Sequence, residues 1–373
     1  MKSSKPETKS SKPETKSSKP ATKSSKPDSN QWGARFRVAI IGASTLKGKE
    51  LKDLLAERNF PASDIRLLDD EEALGQIESV GDEPSFIQSV TAEHLSGVDF
   101  TFFAAEEAHT NKTWEMVRRA GSEIIDVTYG LDARPEAVVR APWLEQELGE
   151  GHPVKLVTAP VVIAHPVSVV LGLLLVRLHK HHKIRRANAT ILEPASERGR
   201  RGMDELHEQT VNLLSFQQLP TMVFGTQVAF NIVPGYGEGA EPTMAAIAER
   251  VLRHYSAITN AHAPVPSLML LHAPVFHAHT FSIYIDLESP ASLDEFEAAL
   301  AGEHVEFVRK PPSEPSNLNA AGQQDVQIAV RKDAHSETGF WIWAAADNLR
   351  ISASLAVEAA EDMAATRPRG KVQ

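Results

Sequence analysis

The segment Gly42-Ala43-Ser44-Thr45-Leu46-Lys47-Gly48 joins an apolar run, Phe36 to Ala43, to a helical face made by Leu46, Leu51, Leu54 and Leu55. A strand, a glycine turn and a helix in that order bring backbone N–H groups and a helix N-terminus to bear on a pyrophosphate. Gly42, Ser44, Thr45 and Gly48 are therefore the candidate cofactor contacts. The usual fingerprint has three glycines, and here the middle position is Thr45, whose Cβ restricts close backbone approach. Two readings stay open: a degenerate cofactor loop, or a turn that has kept its shape and lost its ligand.

His277 and His279 alternate along an expected strand, so they share one face. Two imidazoles on one face could ligate a metal, but no third ligand accompanies them, and no metal is expected. His179, His181 and His182, with Lys180 and Lys183, end an expected helix, where cations suit the C-terminus. The basic glycine loop from Ser196 to Gly202 reads equally as an anion cradle or a solvated turn. The chain has no cysteine, which removes disulfides, thiolate metal sites and every cysteine nucleophile.

The scaffold for these residues has 373 positions, room for about two domains. Hydrophobic residues at 42% and charged residues at 24% exclude a wholly disordered or fibrous chain. The net charge of −10 is unevenly spread. Residues 1–29 carry eight lysines against Glu7, Glu14 and Asp28, an excess of +5 that leaves −15 on the rest. A body that acidic argues against a nucleic-acid groove. The longest apolar run, Val167 to Val176, is too short to cross a bilayer, and the N-terminus lacks a signal-peptide core. No nucleic acid and no membrane are expected as partners, and the expected location is the cytoplasm.

Residues 1–33 contain the repeat KSSKPET, KSSKPET, KSSKPAT, KSSKPDS. Each unit lacks an apolar seam and holds a proline, so a disordered, polyproline-leaning tail is expected. From Ala34 the pattern is strand, helix, strand: FRVAIIGA, then the Leu46 helix, IRLLD, DFTFFAA, a helix around Lys112–Ala120, and EIIDVT. That alternation implies an α/β fold with a Rossmann-like, doubly wound parallel sheet over residues 34–157. Beyond it ANATIL, QVAFNIV, TFSIYIDL, DVQIAV and GFWIWAA alternate with helical stretches, an α+β domain with a mixed sheet over 158–347. A last helix spans 348–364.

Several blocks in order carry a family resemblance: RVAIIGAS at Arg37, LAERNFPASDIRLL at Leu55, GVDFTFFAA at Gly97, GMDELHEQT at Gly202, QVAFNIVP at Gln227, APVFHAHT at Ala273 and ADNLRISASLAVEAAE at Ala346. The chain resembles the aspartate-semialdehyde dehydrogenase family over nearly all its length after the tail. The resemblance implies a Rossmann-like cofactor domain completed by the C-terminal helix, and a dimerising substrate domain. It also implies NADPH-dependent reduction of aspartyl phosphate through a cysteine thioester.

Against that pattern the departures are concentrated at the site. The family's nucleophile stands in Asn-Pro-Asn-Cys-Ser/Thr at a helix N-terminus. The matching stretch is read as Ala159-Pro160-Val161-Val162-Ile163-Ala164, with Val162 at the cysteine position. Valine forms no thioester, and the nearest hydroxyls, Thr158 and Ser168, are placed too far along the chain to replace it. The family's glutamine aligns with Glu193, its acid/base histidine with His279, and its carboxylate-binding arginine with His277. Its phosphate-binding arginine falls near Leu131-Asp132, with Arg134 the close cation, and its Glu and Lys for the amino-acid end fall around Thr243 and Ala245.

Where the family holds a 2′-phosphate, this chain has Asp69-Asp70-Glu71-Glu72. Acids repel that phosphate, whereas an acid at Asp69 suits a ribose hydroxyl, so of the implied cofactors NAD is preferred over NADP. Glu106 and Glu107 replace small residues beside the cofactor. The expectation is a catalytically inactive dimeric relative, a pseudoenzyme with a structural or regulatory role, that forms homodimers and could associate with an active dehydrogenase. The alternative is an NAD(P)-dependent oxidoreductase that acts on an aldehyde or oxo group directly, with His279 as proton donor.

Overall fold

The computed structural model describes residues 35–80, 83–149, 159–309 and 314–366. The repeat segment and Thr158 lie outside the described residues.

The first sheet grows from β1 (Phe36–Ile41), whose last four residues are buried, as expected of a strand covered by helices on both faces. In chain order there follow α1 (Leu46–Glu57), β2 (Ala62–Asp69), the hairpin β3 (Ile77–Val80) and β4 (Glu83–Phe86), β5 (Gln88–Ser89), α2 (Ala92–Leu95), β6 (Phe100–Phe103), α3 (Glu107–Arg119), β7 (Glu123–Asp126), β8 (Val138–Arg140), α4 (Pro142–Leu148) and β9 (Val161–Ile163). Seven strands pair in the order β5-β2-β1-β6-β7-β9-β8, all parallel. The strand β9, beyond residue 157, pairs with both β7 and β8 in this sheet.

After α5 (Pro166–His181) the second sheet is built from β10 (Ile184–Glu193), β11 (Ser267–His272), β12 (His279–Leu287), β13 (Val305–Phe307), β14 (Val326–Lys332) and β15 (Gly339–Ala346). Its order is β11-β10-β12-β15-β14-β13, with parallel and antiparallel pairs mixed. The helices α6 (Gly199–Leu214), α7 (Met244–Thr259), α8 (Leu293–Leu300), α9 (Asn317–Ala320) and α10 (Asn348–Thr366) complete it. Ile283 and Ile285 are buried, and Phe296 of α8 stacks on Phe340 of β15 at 4.1 Å, so this face is covered by helix. The other face is part-open, carrying Tyr284 against Trp341. The last helix returns to the first: Arg350 bonds Glu50 and Glu57 of α1, and Arg58 bonds Glu358 and Glu361 of α10.

One expected strand is absent. QVAFNIV is a run of turns, because the Gln209 side chain accepts the N–H groups of Val228 and Ala229 and Phe230 takes a positive φ of 57°. The strand at this edge is SLMLLH, β11, and QVAFNIV meets it in an isolated antiparallel bridge between Val233 and His272.

Candidate functional site

The carboxyl ends of β1, β6 and β7 open onto one crevice, the place where a doubly wound sheet presents its loops. Gly42 (φ 90°) sits so close to the backbone of Ala105 that any Cβ would collide with it. Thr45 caps α1: its hydroxyl accepts from Gly48 N at 3.0 Å and lies 2.8 Å from the Gly42 carbonyl and 2.9 Å from that of Ala104. Asp69 is buried and accepts from Ser44 N at 2.8 Å and Asp70 N at 2.9 Å, so its carboxylate holds the loop in place. Glu106 and Glu107 each meet a cation, Arg201 at 3.5 Å and Arg250 at 2.9 Å.

Lys47 was not singled out by type or spacing, yet it dominates the crevice. From the first turn of α1 its side chain reaches to donate to the Val127 carbonyl beyond β7 at 2.9 Å. On the way it lies over the Tyr129 ring, 4.6 Å from the centroid. Burial pulls its ammonium below the ordinary lysine range, against the opposing pull of Glu197 and Asp126.

Beyond β7, Asp126 accepts from Thr128 N at 2.7 Å, Thr128 Oγ1 at 2.6 Å and Leu131 N at 2.9 Å. Those three bonds fold the turn that sets Tyr129 at φ 68°, stacked on His165 with centroids 5.4 Å apart. Arg134, the expected anion ligand here, instead lies over the Trp114 ring. The guanidinium at this place is Arg250 of α7, which with Arg253 and His254 grips Asp132 at 3.0, 2.6 and 3.4 Å. A lone arginine on an amphipathic helix gave no sequence signal. Thr243, expected near the amino-acid end of a substrate, caps α7 by accepting from Ala246 N.

Val162 is not at a helix N-terminus. It lies within β9, fully buried among Ile41, Phe103 and Ile124. The helix that starts nearby is α5, with His165 as N-cap and Pro166 at its first position. His165 Nδ1 accepts from Val167 N at 3.3 Å, and its Nε2 lies 3.4 Å from Glu197 Oε1. Burial pushes the Glu197 carboxyl up, but the His165 imidazole and the Lys47 charge outweigh it and hold the group well below the carboxylate range. Ser168, in the first turn of α5, is fully buried and donates to the Val251 carbonyl at 2.7 Å.

A second polar group closes the far side. Glu193 accepts from the Tyr236 hydroxyl at 2.6 Å, and that hydroxyl lies 3.3 Å from His272 Nδ1. Burial, reinforced by the Glu197 charge, pushes Glu193 up to about 7. His279 is fully buried, with neither ring nitrogen partnered among the described residues, and burial pulls it down to about 4. His272, missed by sequence reading, is buried and likewise pulled to about 4. His277 lies before β12 begins and is part-exposed, so the expected histidine pair is split.

The semialdehyde dehydrogenase NAD-binding domain family model matches residues 37–152, and the dimerisation domain model of the same family matches residues 175–351. An aspartate-semialdehyde dehydrogenase of Rickettsia bellii is 26% identical over 338 residues, covering 89% of this chain and 98% of that protein. A USG-1 protein homolog of Pseudomonas aeruginosa is 27% identical over 320 residues, covering 85% and 94%. A solved structure of a probable aspartate-semialdehyde dehydrogenase from Pseudomonas aeruginosa superposes with a TM-score of 0.78 at 26% identity, over 88% of this chain and 98% of that one. Two family models of one enzyme class, a parallel sheet carrying the first and a mixed sheet carrying the second, show that the chain belongs to the semialdehyde dehydrogenase family.

Proposed function

We propose that this chain is a dimeric family member that does not perform the phosphate-dependent thioester reaction. The observation that carries the reading is the start of α5. Ala164-His165-Pro166-Val167-Ser168 has the proline spacing of the family's nucleophile motif, so Ser168, rather than Val162, stands at the cysteine position. Its hydroxyl is spent on the Val251 carbonyl, and the His165 side chain takes the Val167 N–H that would otherwise face an anion.

The nicotinamide cofactor that the family implies meets a similar obstacle. The residues present do not fit a dinucleotide laid across the crevice while Lys47 spans it from the start of α1 to Val127. Thr45 and Asp69 already consume the Gly48 and Ser44 N–H groups. Calorimetric titration with NAD and NADP separately is expected to show no saturable heat at millimolar ligand. Micromolar binding of either, about −8 kcal/mol, would count against the reading.

Assembly is what the second domain still offers. Phe216 is 98% exposed, Met222 83% and Phe230 68%, all in the segment between α6 and α7. Three large apolar side chains so fully in water mark an interface. A second copy is the occupant we propose, with association to an active dehydrogenase as another use of the same surface. Light scattering on the full chain is expected to give a dimer mass, and Phe216→Glu to raise the dissociation constant about tenfold or more, the 1.4 kcal/mol scale of a lost anchor. A monomer at tens of micromolar protein would refute it.

A further inference from the structure

The hairpin β3–β4 carries its alternation inside out. Glu78 and Ser85, a cross-strand pair, lie on its half-buried side, where Glu78 meets Lys49 and Lys52 of α1 at 2.9 and 2.8 Å. Ile77 and Phe86, the adjacent pair, lie on the opposite face and are 64% and 59% exposed. Leu74, just before β3, is exposed as well. A strand with one wet face ordinarily turns its apolar residues inward. Here the Glu78 ion pairs hold the polar side against α1 and leave the apolar pair in water.

The ladder also sets which backbone groups point outward. In an antiparallel pair, hydrogen-bonded and non-hydrogen-bonded positions alternate. The Ile87 N–H donates to the Gln76 carbonyl at 2.9 Å, so Gln76–Ile87 is a bonded position. Ile77–Phe86 and Ser79–Pro84 are therefore non-bonded ones, with their N–H and C=O groups directed away from the partner strand. On β4 this direction meets Pro84, which has no N–H to offer and blunts that edge. On β3 the outward groups of Ile77 and Ser79 have no partner among the described residues, and the sheet stops at two strands. At the base of the hairpin, Asp70, Glu71 and Glu72 are exposed and form no ion pair among the described residues.

We propose that the β3 edge is a docking site for an extended segment of another protein, one with alternating aliphatic residues and a run of lysine or arginine at its C-terminal end. The segment adds a third strand by bonding to the Ile77 and Ser79 backbone, and its aliphatic side chains extend the Ile77–Phe86 face. Antiparallel addition is the more stable per residue. It brings the C-terminus of the segment to the base of the hairpin, where the three unpaired acids call for cations. The KSSKPET repeat of this chain has the lysines but no valine, leucine, isoleucine or aromatic residue, so it matches the acids and not the apolar face. The inference is independent of the lost thioester chemistry and of the surface assigned to assembly.

The test uses the full chain and a fluorescein-labelled peptide, Thr-Val-Thr-Val-Thr-Val-Lys-Lys-Lys. Fluorescence anisotropy is expected to give a dissociation constant on the order of 10⁻⁵ M, the strength of a small transient contact. The same peptide with alternate backbone nitrogens methylated keeps its charge and side chains but loses the N–H groups that face β3. It should bind about tenfold more weakly. A peptide of two KSSKPET units tests charge alone and should not saturate below about 1 mM. Ile77→Asp is expected to weaken the valine–lysine peptide about tenfold. Asp70→Asn with Glu71→Gln and Glu72→Gln should weaken it about threefold at low salt. Equal affinity for the methylated and unmethylated peptides would overturn the proposal, and so would saturation by the repeat peptide in the same range. A dimer mass that Ile77→Asp reduces to a monomer would give the edge to a second copy of this chain and overturn it too. The peptides on the unsubstituted chain decide even if a variant fails to fold.

Discussion

Full-length protein given aspartate semialdehyde, phosphate and either NAD or NADP is expected to produce no reduced cofactor above a no-enzyme control, and Ser168→Cys is expected not to rescue it. Removing a covalent nucleophile costs on the order of 10⁶ in kcat, because the intermediate itself is lost. A serine does not substitute at this place. Its hydroxyl is fully buried and donates to the Val251 carbonyl, and among the described residues no imidazole nitrogen accepts its proton. A cysteine there inherits the same burial, which raises a thiol's pKa instead of lowering it. Val162→Cys fares no better, since β9 points that side chain into the sheet core. The histidines of the site do not supply the missing cation, since burial pulls His272 and His279 to about 4, and the guanidiniums beside them are engaged: Arg198 with the Glu241 and Pro242 carbonyls, Arg250 with Glu107 and Asp132. Turnover at a typical kcat of order 1–10³ s⁻¹ in either cysteine variant would show that the nucleophile was the sole defect. Turnover in the unsubstituted chain would remove the reading altogether.

Much of the scaffold could be read from the chain because its signals are local. Val38–Ile41 is a short apolar run stopped by Gly42, and a run of that length ending in a glycine turn suits a buried parallel strand. Thr45 at the middle of the turn was legible as a departure, and the structure gives its use: its hydroxyl caps α1. Two proline-containing stretches, Ala159-Pro160 and His165-Pro166, lie six residues apart, so the sequence alone offers both Val162 and Ser168 for the nucleophile position. Only the second begins a helix, and proline at the first helical position was the signal that could have chosen it. QVAFNIV alternates like a strand, but a side chain 19 and 20 residues upstream of the two groups it binds, Gln209, takes the Val228 and Ala229 N–H groups. Lys47, His272 and Arg250 left no periodic trace. Each becomes functional only through neighbours distant in sequence: Val127 for Lys47, Glu193 and Tyr236 for His272, Asp132 for Arg250.

The Glu193 carboxyl is the group on which pH should act most visibly. Glu193 is fully buried, and Tyr236 is its one hydrogen-bond donor among the described residues, so the folded state favours its protonated form, at about 7 against 4.5 unfolded. For a folded-state pKa that is raised, the native chain binds more protons than the unfolded one between the two values. The associated stability is therefore fully present below 4.5 and is lost as pH rises through 7. Above that, ionising the buried group costs about 3 kcal/mol, at 1.36 kcal/mol per pKa unit. Glu193→Gln removes the titration while keeping a carbonyl oxygen for the Tyr236 hydroxyl. The variant is expected to match the unsubstituted chain at pH 4.5 and to exceed its unfolding free energy by about 3 kcal/mol at pH 8, measured by denaturant unfolding at each pH. Glu358, also pushed up to about 7 by burial, shares no hydrogen bond with this group, so it titrates alike in both chains and cancels from the difference. Glu193→Ala separates the charge from the bond: it relieves the same ionisation yet strands the Tyr236 hydroxyl, at about 1–3 kcal/mol, so its advantage at pH 8 should shrink or vanish. A Gln variant that gains equally at pH 4.5 and pH 8 would mean that packing, and not proton linkage, separates the two side chains. No gain at pH 8 would mean that Glu193 is ionised and satisfied in the native protein, and the neutral-acid description of the site would fall.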